Sequence, residues 1–473
     1  MTIMVAGGVT FAFPPAIPAY AQSTENLFVS AANPDFENSF AGPMVIEGCL
    51  SMIPIWKETD EKETEPDVTV NGQILRMVQA TDGNWYAYFA ETTMALRADE
   101  MANDIGTDGI GLDFGKACTA ASSGKYEDSD GVFFQGSGIT GASDGVLGTC
   151  DLTGGNYGTD DVMNVIREDK DETEAFGAPV TVTPGQIGVG DNEFPAIQLY
   201  DFAVDGDVDV IYNKGGGVQQ VTLKYLDDTG DLVSWSADRS EYPLGAHVHV
   251  TINDMQLNID PTDEDSWTFG TAEDNEATYY QIFDENGEFA PMVEDGNSGN
   301  TIPLTTIDVG PLNFEDNGVL EVNINTQDAD NVVLRVTDND DQVLDDNGRL
   351  NGVMVPITFT ETQSNSGIFK NTDEGDSANI RITDEARRGT TATVEYNEVA
   401  GSVVVSNFFA SVDIDEEHVG GTWNSGEEIH VTITDQDANK NSLVDEDFDL
   451  YEPDVLLIPS VRIGSPIYRR RPD

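Results

Sequence analysis

The sequence predicts an all-β protein, because two local patterns recur along the chain. Short β-branched runs of about five to eight residues alternate polar and apolar side chains, as in AHVHVTIN and EIHVTIT. Gly, Asn and Asp separate these runs at intervals of about eight to twelve residues, which is typical of strands joined by tight turns. The best helical stretch, residues 92–104, is short and is followed by Gly106 and Gly109, which predicts one helix on a β domain.

An internal repeat sets the expected size of the domains. Residues 242–254 align with residues 423–435 without a gap and share Gly, His, Val, Thr, Ile and Asp positions. A fainter copy, residues 322–331, matches residues 431–440. The offsets of about 70 and 110 residues between like strands are each close to one immunoglobulin-sized β-sandwich. A chain of 473 residues therefore predicts several such domains rather than one core.

The N-terminus has the features of a signal peptide. An apolar run of about ten residues ends at Ala19-Tyr20-Ala21, a small-x-small pattern that signal peptidases cut, so we expect residues 1–21 to be a leader and the mature chain to be secreted to the cell surface. No later stretch reaches the roughly 18 apolar residues of a membrane span. The expected domains are a larger N-terminal β domain (22–195), two immunoglobulin-like sandwiches (196–311 and 312–400) and a third, incomplete one (401–473).

Acidic residues dominate the charge of the chain. It contains 22 Lys and Arg against 87 Asp and Glu, which gives a formal net charge of −65. Such a field repels nucleic acid and anionic membrane surfaces, so these partners are excluded, and it concentrates cations. Adaptation to a salty medium, or simple solubility, would produce the same composition. The charge alone leaves these alternatives open.

The three cysteines suit an exported protein better than metal chemistry, because the sequence has no CxxC pair. A disulfide between Cys118 and Cys150 would close a loop of about thirty residues, and we predict that bond. Cys49 is then left over.

The acidic stretch HVTITDQDANKNSLVDED (residues 430–447) raises the question of a metal site. Asp435, Asp437, Asn439, Asn441 and Glu446 match positions 1, 3, 5, 7 and 12 of an EF-hand-type calcium loop. The flanks are predicted strands, and a lysine stands where that loop needs glycine, so an EF-hand is not expected. Two hypotheses remain, a calcium site at a strand end and a solvated hairpin tip. The candidate ligands here and at two similar strand ends are Asp435, Asp437, Asn439, Asp445, Asp447, Asp254, Asp260, Asp263, Asp265, Asp338 and Asp340.

No motif for catalysis stands out. His247 and His249 are two apart on a predicted strand and would face one side, as zinc ligands do, but an exposed strand face explains them as well. The sequence has no G-x-S-x-G, P-loop or HExxH motif. With 87 acidic residues, no carboxylate pair for glycoside hydrolysis can be singled out. We therefore expect a protein that is not an enzyme.

Several segments together resemble the S-layer proteins of ammonia-oxidising archaea. The segments are STENLFVSAANPDFENSFAGPMVIE, EPDVTVNGQILRMVQATDGNWYAYFAE, GQIGVGDNEFPAIQLYDF, YPLGAHVHVTINDMQLNIDPTDEDSWTFG, ITFTETQSNSGIFKNTDEGDSANIRITDEARRGTTATVEYN and the acidic stretch continued by FDLYEPDVLLIPSVRIGSP. The resemblance implies immunoglobulin-like domains, self-association into a hexagonal two-dimensional lattice, cation binding and enrichment of ammonium at the cell. A calcium-dependent surface adhesin built of similar repeats is the alternative.

Overall fold

The computed structural model confirms the all-β prediction. Residues whose structure is described are 26–51, 66–75, 77–79, 84–102, 112, 118–120, 139–140, 148–150, 162–163, 165–166, 196–214, 217–272, 275–280, 312, 314, 318–322, 333–336, 349–350, 353–354, 356–372, 376–414, 422 and 430–446. Among these residues one α-helix is present, α1 (Thr92–Ala102), where the helical stretch predicted it. No helix in this part of the chain is long and apolar enough to cross a membrane.

The strands of the N-terminal half are mostly short, and each contains at least one β-branched or aromatic residue. In chain order they are β1 (Leu27–Val29), β2 (Ser39–Ala41), β3 (Ile46–Leu50), β4 (Val68–Val70), β5 (Gln73–Ile74), β6 (Val78–Gln79), β7 (Trp85–Glu91), β8 (Cys118–Ala120), β9 (Ile139–Thr140), β10 (Gly148–Cys150), β11 (Val162–Met163), β12 (Val165–Ile166), β13 (Ala196–Tyr200), β14 (Gly206–Lys214) and β15 (Gly217–Leu226).

The strands of the C-terminal half are also mostly short. They are β16 (Ser234–Ala237), β17 (Glu241–Tyr242), β18 (Val250–Asn253), β19 (Ser266–Ala272), β20 (Asn275–Tyr280), β21 (Leu320–Val322), β22 (Leu334–Val336), β23 (Arg349–Leu350), β24 (Val353–Met354), β25 (Pro356–Glu361), β26 (Ile368–Lys370), β27 (Ile380–Ile382), β28 (Thr391–Tyr396), β29 (Val399–Val405), β30 (Ser411–Ile414) and β31 (Val431–Thr434).

Two sheets form the N-terminal unit. One has the order β1-β3-β7-β13-β12, with β6 also on β7, and the other has the order β2-β15-β14-β4-β5. Ile46 and Phe89 of the first sheet share a buried cluster with Phe40 and Val210 of the second. Burial of such large apolar side chains is the main favourable contribution to folding. The two sheets therefore pack face to face around one core.

The boundary of this unit lies later in the chain than residue 195. Strand β13 pairs in parallel with β7, and β14 and β15 pair with β4 and β2. Residues up to Leu226 thus complete the N-terminal sheets. The difference arises because strand pairing over long sequence separations is fixed by tertiary packing, which no local pattern reports.

The second unit also consists of two sheets. A six-stranded sheet has the order β16-β18-β26-β25-β19-β20, and a four-stranded sheet has the order β17-β29-β28-β21. The rings of Phe269 and Tyr396 meet edge to face across the two sheets, 6.4 Å apart. Both sheets combine strands from the two predicted sandwiches 196–311 and 312–400. The structure therefore forms one two-sheet unit where the repeat spacing predicts two.

Two further small sheets matter for the predictions. Strands β8 and β10 are parallel neighbours, with Cys118 opposite Gly148 and Cys150 opposite Ala120. The two cysteines therefore lie on adjacent strands, offset by two residues, and their disulfide remains a prediction. Strands β30 and β31 form a two-stranded antiparallel hairpin within the predicted third sandwich.

Candidate functional site

Two acidic loops follow corresponding strands of the internal repeat. The first acidic loop, residues 254–265, follows β18, and the second acidic loop, residues 435–446, follows β31. The sequences of the two copies align without a gap from strand into loop. The structure extends this likeness to the hydrogen bonds inside the loops.

The first residue of each loop caps the backbone that follows it. The Asp254 carboxylate accepts a hydrogen bond from the amide of Gln256 at 2.9 Å, and the Asp435 carboxylate accepts one from the amide of Asp437 at 3.0 Å. Each aspartate carbonyl also accepts a bond of 3.3 Å from the amide three residues on. Short acidic side chains favour such turns because they satisfy amides that would otherwise lack partners.

The last residue of each loop closes it. Asp265 accepts hydrogen bonds from the amides of Ile259 and Asp260, at 2.5 and 3.0 Å. In the second loop, one oxygen of Glu446 accepts from the amides at the same two positions, Lys440 and Asn441, the latter at 2.6 Å. A carboxylate at the twelfth position thus clamps the middle of each loop. Hydrogen bonds to a charged acceptor are about twice as strong as neutral ones.

Each loop contacts the preceding unit through the backbone carbonyl at its sixth position. The carbonyl of Ile259 in the first loop accepts a hydrogen bond of 3.0 Å from the amide of Val45 in the N-terminal unit. The carbonyl of Lys440, at the corresponding position of the second loop, accepts one of 2.7 Å from the amide of His247 in the second unit. The contact between consecutive units is therefore repeated along the chain.

A glycine with a left-handed backbone precedes each of the two amides, of Val45 and His247, that donate to the loops. Gly42, with φ of 59°, lies shortly before Val45, and Gly245, with φ of 72°, lies shortly before His247. A β-carbon on Gly42 would lie 3.0 Å from the carbonyl oxygen of Leu312, which is closer than side chains normally pack. The left-handed backbone at both turns, and at Gly42 also the close approach of the second unit, thus favour a residue without a side chain.

Side chains reinforce the junction between the second unit and the second acidic loop. The Arg239 guanidinium donates to both the backbone carbonyl and the side-chain oxygen of Asn439, each at 2.8 Å. Ser442 donates to Asp238 at 2.6 Å. A two-pronged arginine contact fixes orientation as well as distance. The second acidic loop is therefore docked on the second unit, and the hypothesis of a freely solvated hairpin tip does not describe it.

The histidines belong to the same junction. His249 is buried, and its ring nitrogens lie 2.8 Å from the Thr372 hydroxyl and 2.8 Å from the Asn441 side-chain oxygen. The His247 ring accepts a hydrogen bond from the Ala378 amide at 3.1 Å, and burial lowers its pKa to about 4. His249 is therefore not on an exposed strand face. It immediately precedes β18 and links the start of that strand to the second acidic loop.

Buried carboxylates surround the first acidic loop. Asp254 accepts hydrogen bonds from the hydroxyls of Thr229 and Tyr396, at 3.2 and 2.7 Å, and burial raises its pKa to about 6. Glu361 accepts bonds from the amides of Ser366 and Gly367, both at 2.7 Å. Burial, followed by the nearby charge of Asp265, raises the pKa of Glu361 well above its ordinary value. These groups are part of the core of the second unit.

The other candidate ligands are placed as follows. Asp260 accepts from the Thr262 amide and hydroxyl, at 3.0 and 2.7 Å. Asp263 is half-buried, and Asp445 is exposed at the edge of the second loop. Asp447, Asp338 and Asp340 lie outside the described residues. Within the described ranges, no group of three or more His, Cys, Asp or Glu side chains has metal-binding geometry, and calcium remains a prediction.

Three residues that organise these loops could not be recognised from the sequence. Glu361 and Tyr396 are distant in the sequence from Asp254, so no spacing pattern connects them. Arg239 stands before the repeat begins. Glu446, in contrast, could be recognised from the sequence, because it aligns with Asp265 at the twelfth position of the acidic loop. No protein-family model matches the chain, and a search of curated proteins finds no match.

Proposed function

We propose that the chain is a structural protein of a surface layer, secreted and self-associating into a polyanionic two-dimensional lattice outside the cell. The observation that carries this proposal is the repeated junction, in which Val45 and His247 donate to corresponding carbonyls of the two acidic loops. An extended coat bears mechanical load, and a series of β units joined by one recurring contact suits that role. The resemblance of the sequence segments to S-layer proteins points to the same role.

The junctions restrict how consecutive units move. Three contacts join the second unit to the second acidic loop: a main-chain hydrogen bond, the two hydrogen bonds from Arg239 to Asn439, and the bond from Ser442 to Asp238. Because these bonds lie at different points of the loop, a hinge motion would break several together. Units held in this way present fixed surfaces to neighbouring chains, which regular assembly requires.

Cations have two roles in the proposed layer. Neighbouring chains with a net charge of −65 repel each other, so counter-ions must accumulate before they pack. The same field raises the concentration of ammonium near the layer. Calcium is a divalent ion that suits the oxygen ligands available, and Asp435, Asp437 and Asp445 would hold it in the second acidic loop, with Asp447 beyond it. Asn439 would join them only by giving up its contact with Arg239.

Electron microscopy of the purified mature chain tests this proposal. We expect ordered sheets or rings in millimolar calcium and dispersed particles in chelator. A sodium chloride control at matched ionic strength separates specific calcium binding from general screening. Dispersed particles under all three conditions would contradict the lattice and favour the calcium-dependent adhesin.

A further inference from the structure

The hairpin of β30 and β31 exposes a wholly apolar face. Val412 lies opposite Ile433, and Ile414 lies opposite Val431, so these four β-branched residues share one face. The other face carries the polar residues Ser411, Asp413, Thr432 and Thr434. Val412 is 64% exposed and Val431 is 49% exposed. An isolated two-stranded hairpin is at best marginally stable in water, so this face requires a cover.

The second unit contains the buried counterpart of this hairpin. Strand β18 corresponds to β31 in sequence, and β16 pairs with β18 in the register in which β30 pairs with β31. Trp235 lies opposite Ile252, as Val412 lies opposite Ile433. Ile252 is completely buried in the second unit. The face that β30 and β31 leave open is therefore a core face in the complete copy.

The second unit also indicates which residues supply the cover. After the first acidic loop, the chain returns to the same sheet as β19, and Trp267 and Phe269 join the buried cluster that contains Ile252. Phe448 and Leu450 stand at the same distances after the second acidic loop as Trp267 and Phe269 do after the first. A second apolar run, VLLIP, follows at residues 455–459. These residues lie beyond Glu446, where the described part of the chain ends.

We infer that residues 448–463 of this chain pack on the apolar face of β30 and β31 and begin a third two-sheet unit. A segment tethered a few residues from the hairpin has a high effective concentration at that face. A second copy would bring another net charge of −65 to the same place. The inference concerns the folding of one chain and does not depend on the proposed surface layer.

Two cysteine variants of the full chain test whether the face is covered. Val412→Cys places a thiol on the apolar face, and Thr432→Cys places one on the polar face of the same hairpin. We expect a water-soluble alkylating reagent to modify Val412→Cys at least about tenfold more slowly. Peptide mass spectrometry distinguishes these sites from the three native cysteines. Equal rates at the two positions would overturn the inference.

A second pair of substitutions identifies the cover. In the Val412→Cys chain, Phe448→Ser with Leu450→Ser should raise the alkylation rate towards that of Thr432→Cys, whereas the control Asp449→Ser, at the position between them, should not. No acceleration in the first variant would overturn the assignment of the segment. Protection that rises with protein concentration, together with dimers in light scattering, would assign the face to a second copy instead. Slow hydrogen exchange at the Ile252 amide verifies that the second unit stays folded in each variant.

Discussion

Tyr396 donates a hydrogen bond of 2.7 Å to the carboxylate of Asp254. Tyr396 ends β28 in the four-stranded sheet, and Asp254 begins the first acidic loop beside the six-stranded sheet. The same phenol oxygen accepts a hydrogen bond of 2.9 Å from the amide of Gly318. All three residues are buried. The packing of the two sheets therefore fixes where the first acidic loop begins, and with it the carbonyl that contacts the N-terminal unit.

Replacing Tyr396 by Phe should destabilise the second unit. The change removes the donor to a buried carboxylate and the acceptor of a buried amide, while the ring keeps its packing against Phe269. We expect a loss of about 2–3 kcal/mol in the free energy of unfolding, measured by urea titration. Tyr212→Phe, on β14 of the N-terminal unit, is the control. Equal losses in the two variants would mean that the hydrogen bonds of Tyr396 contribute little.

The contribution of Asp254 to the stability of the second unit should decrease as the pH rises from about 4 to 7, whereas His247, whose pKa is lowered to about 4, contributes with the opposite sign. Burial raises the pKa of Asp254 to about 6, above the ordinary 3.8, so the folded chain binds this proton more tightly than the unfolded chain does. The stabilising contribution is complete below the ordinary pKa and is lost as the pH rises through 6. A shift of this size corresponds to about 3 kcal/mol.

The variant Asp254→Asn isolates this contribution from the rest of the acidic surface. It keeps the size of the side chain but cannot titrate, so the free energy of unfolding of the unchanged chain, taken relative to that of the variant, should decrease between pH 4 and 7. The measurement is urea unfolding at several pH values in constant salt. Parallel curves for the two proteins would show that Asp254 titrates normally in the folded state.

Local patterns predicted the elements but not their partners. The helix Thr92–Ala102 follows from short-range spacing and the equivalence of β18 with β31 follows from the internal repeat, and the structure reproduces both. The parallel pairing of β13 with β7 joins residues more than a hundred positions apart, where no local signal exists. The acidic loops were predicted as sites of interest for their oxygen atoms. Their use of those oxygens for backbone amides depends on loop conformation, which composition does not specify.

Removing the carboxylate of Glu446 should loosen the second acidic loop. Glu446 accepts from the amides of Lys440 and Asn441, and the carbonyl of Lys440 is the contact to His247. In Glu446→Ala we expect the hydrogen exchange of these two amides to accelerate about tenfold, because their acceptor is gone. Asp445→Ala changes the exposed neighbour and should leave their exchange unchanged. If both variants behave alike, general charge rather than the clamp controls the loop.

Calcium should stabilise the chain through Asp437. This residue follows the capping turn of Asp435 and also accepts a hydrogen bond of 2.9 Å from the amide of Phe408, so Asp437→Ala should lower the melting temperature even in chelator. Because extracellular calcium sites bind at about 10⁻⁴ to 10⁻³ M, several millimolar calcium suffices to saturate the loop. We expect calcium to raise the melting temperature of the unchanged chain, and to raise that of Asp437→Ala by less than half as much. Asp413→Ala, an exposed acidic residue on the hairpin, controls for net charge and should keep the full increase. A reduced melting temperature combined with a full calcium response would assign Asp437 to the Phe408 contact alone and place calcium elsewhere.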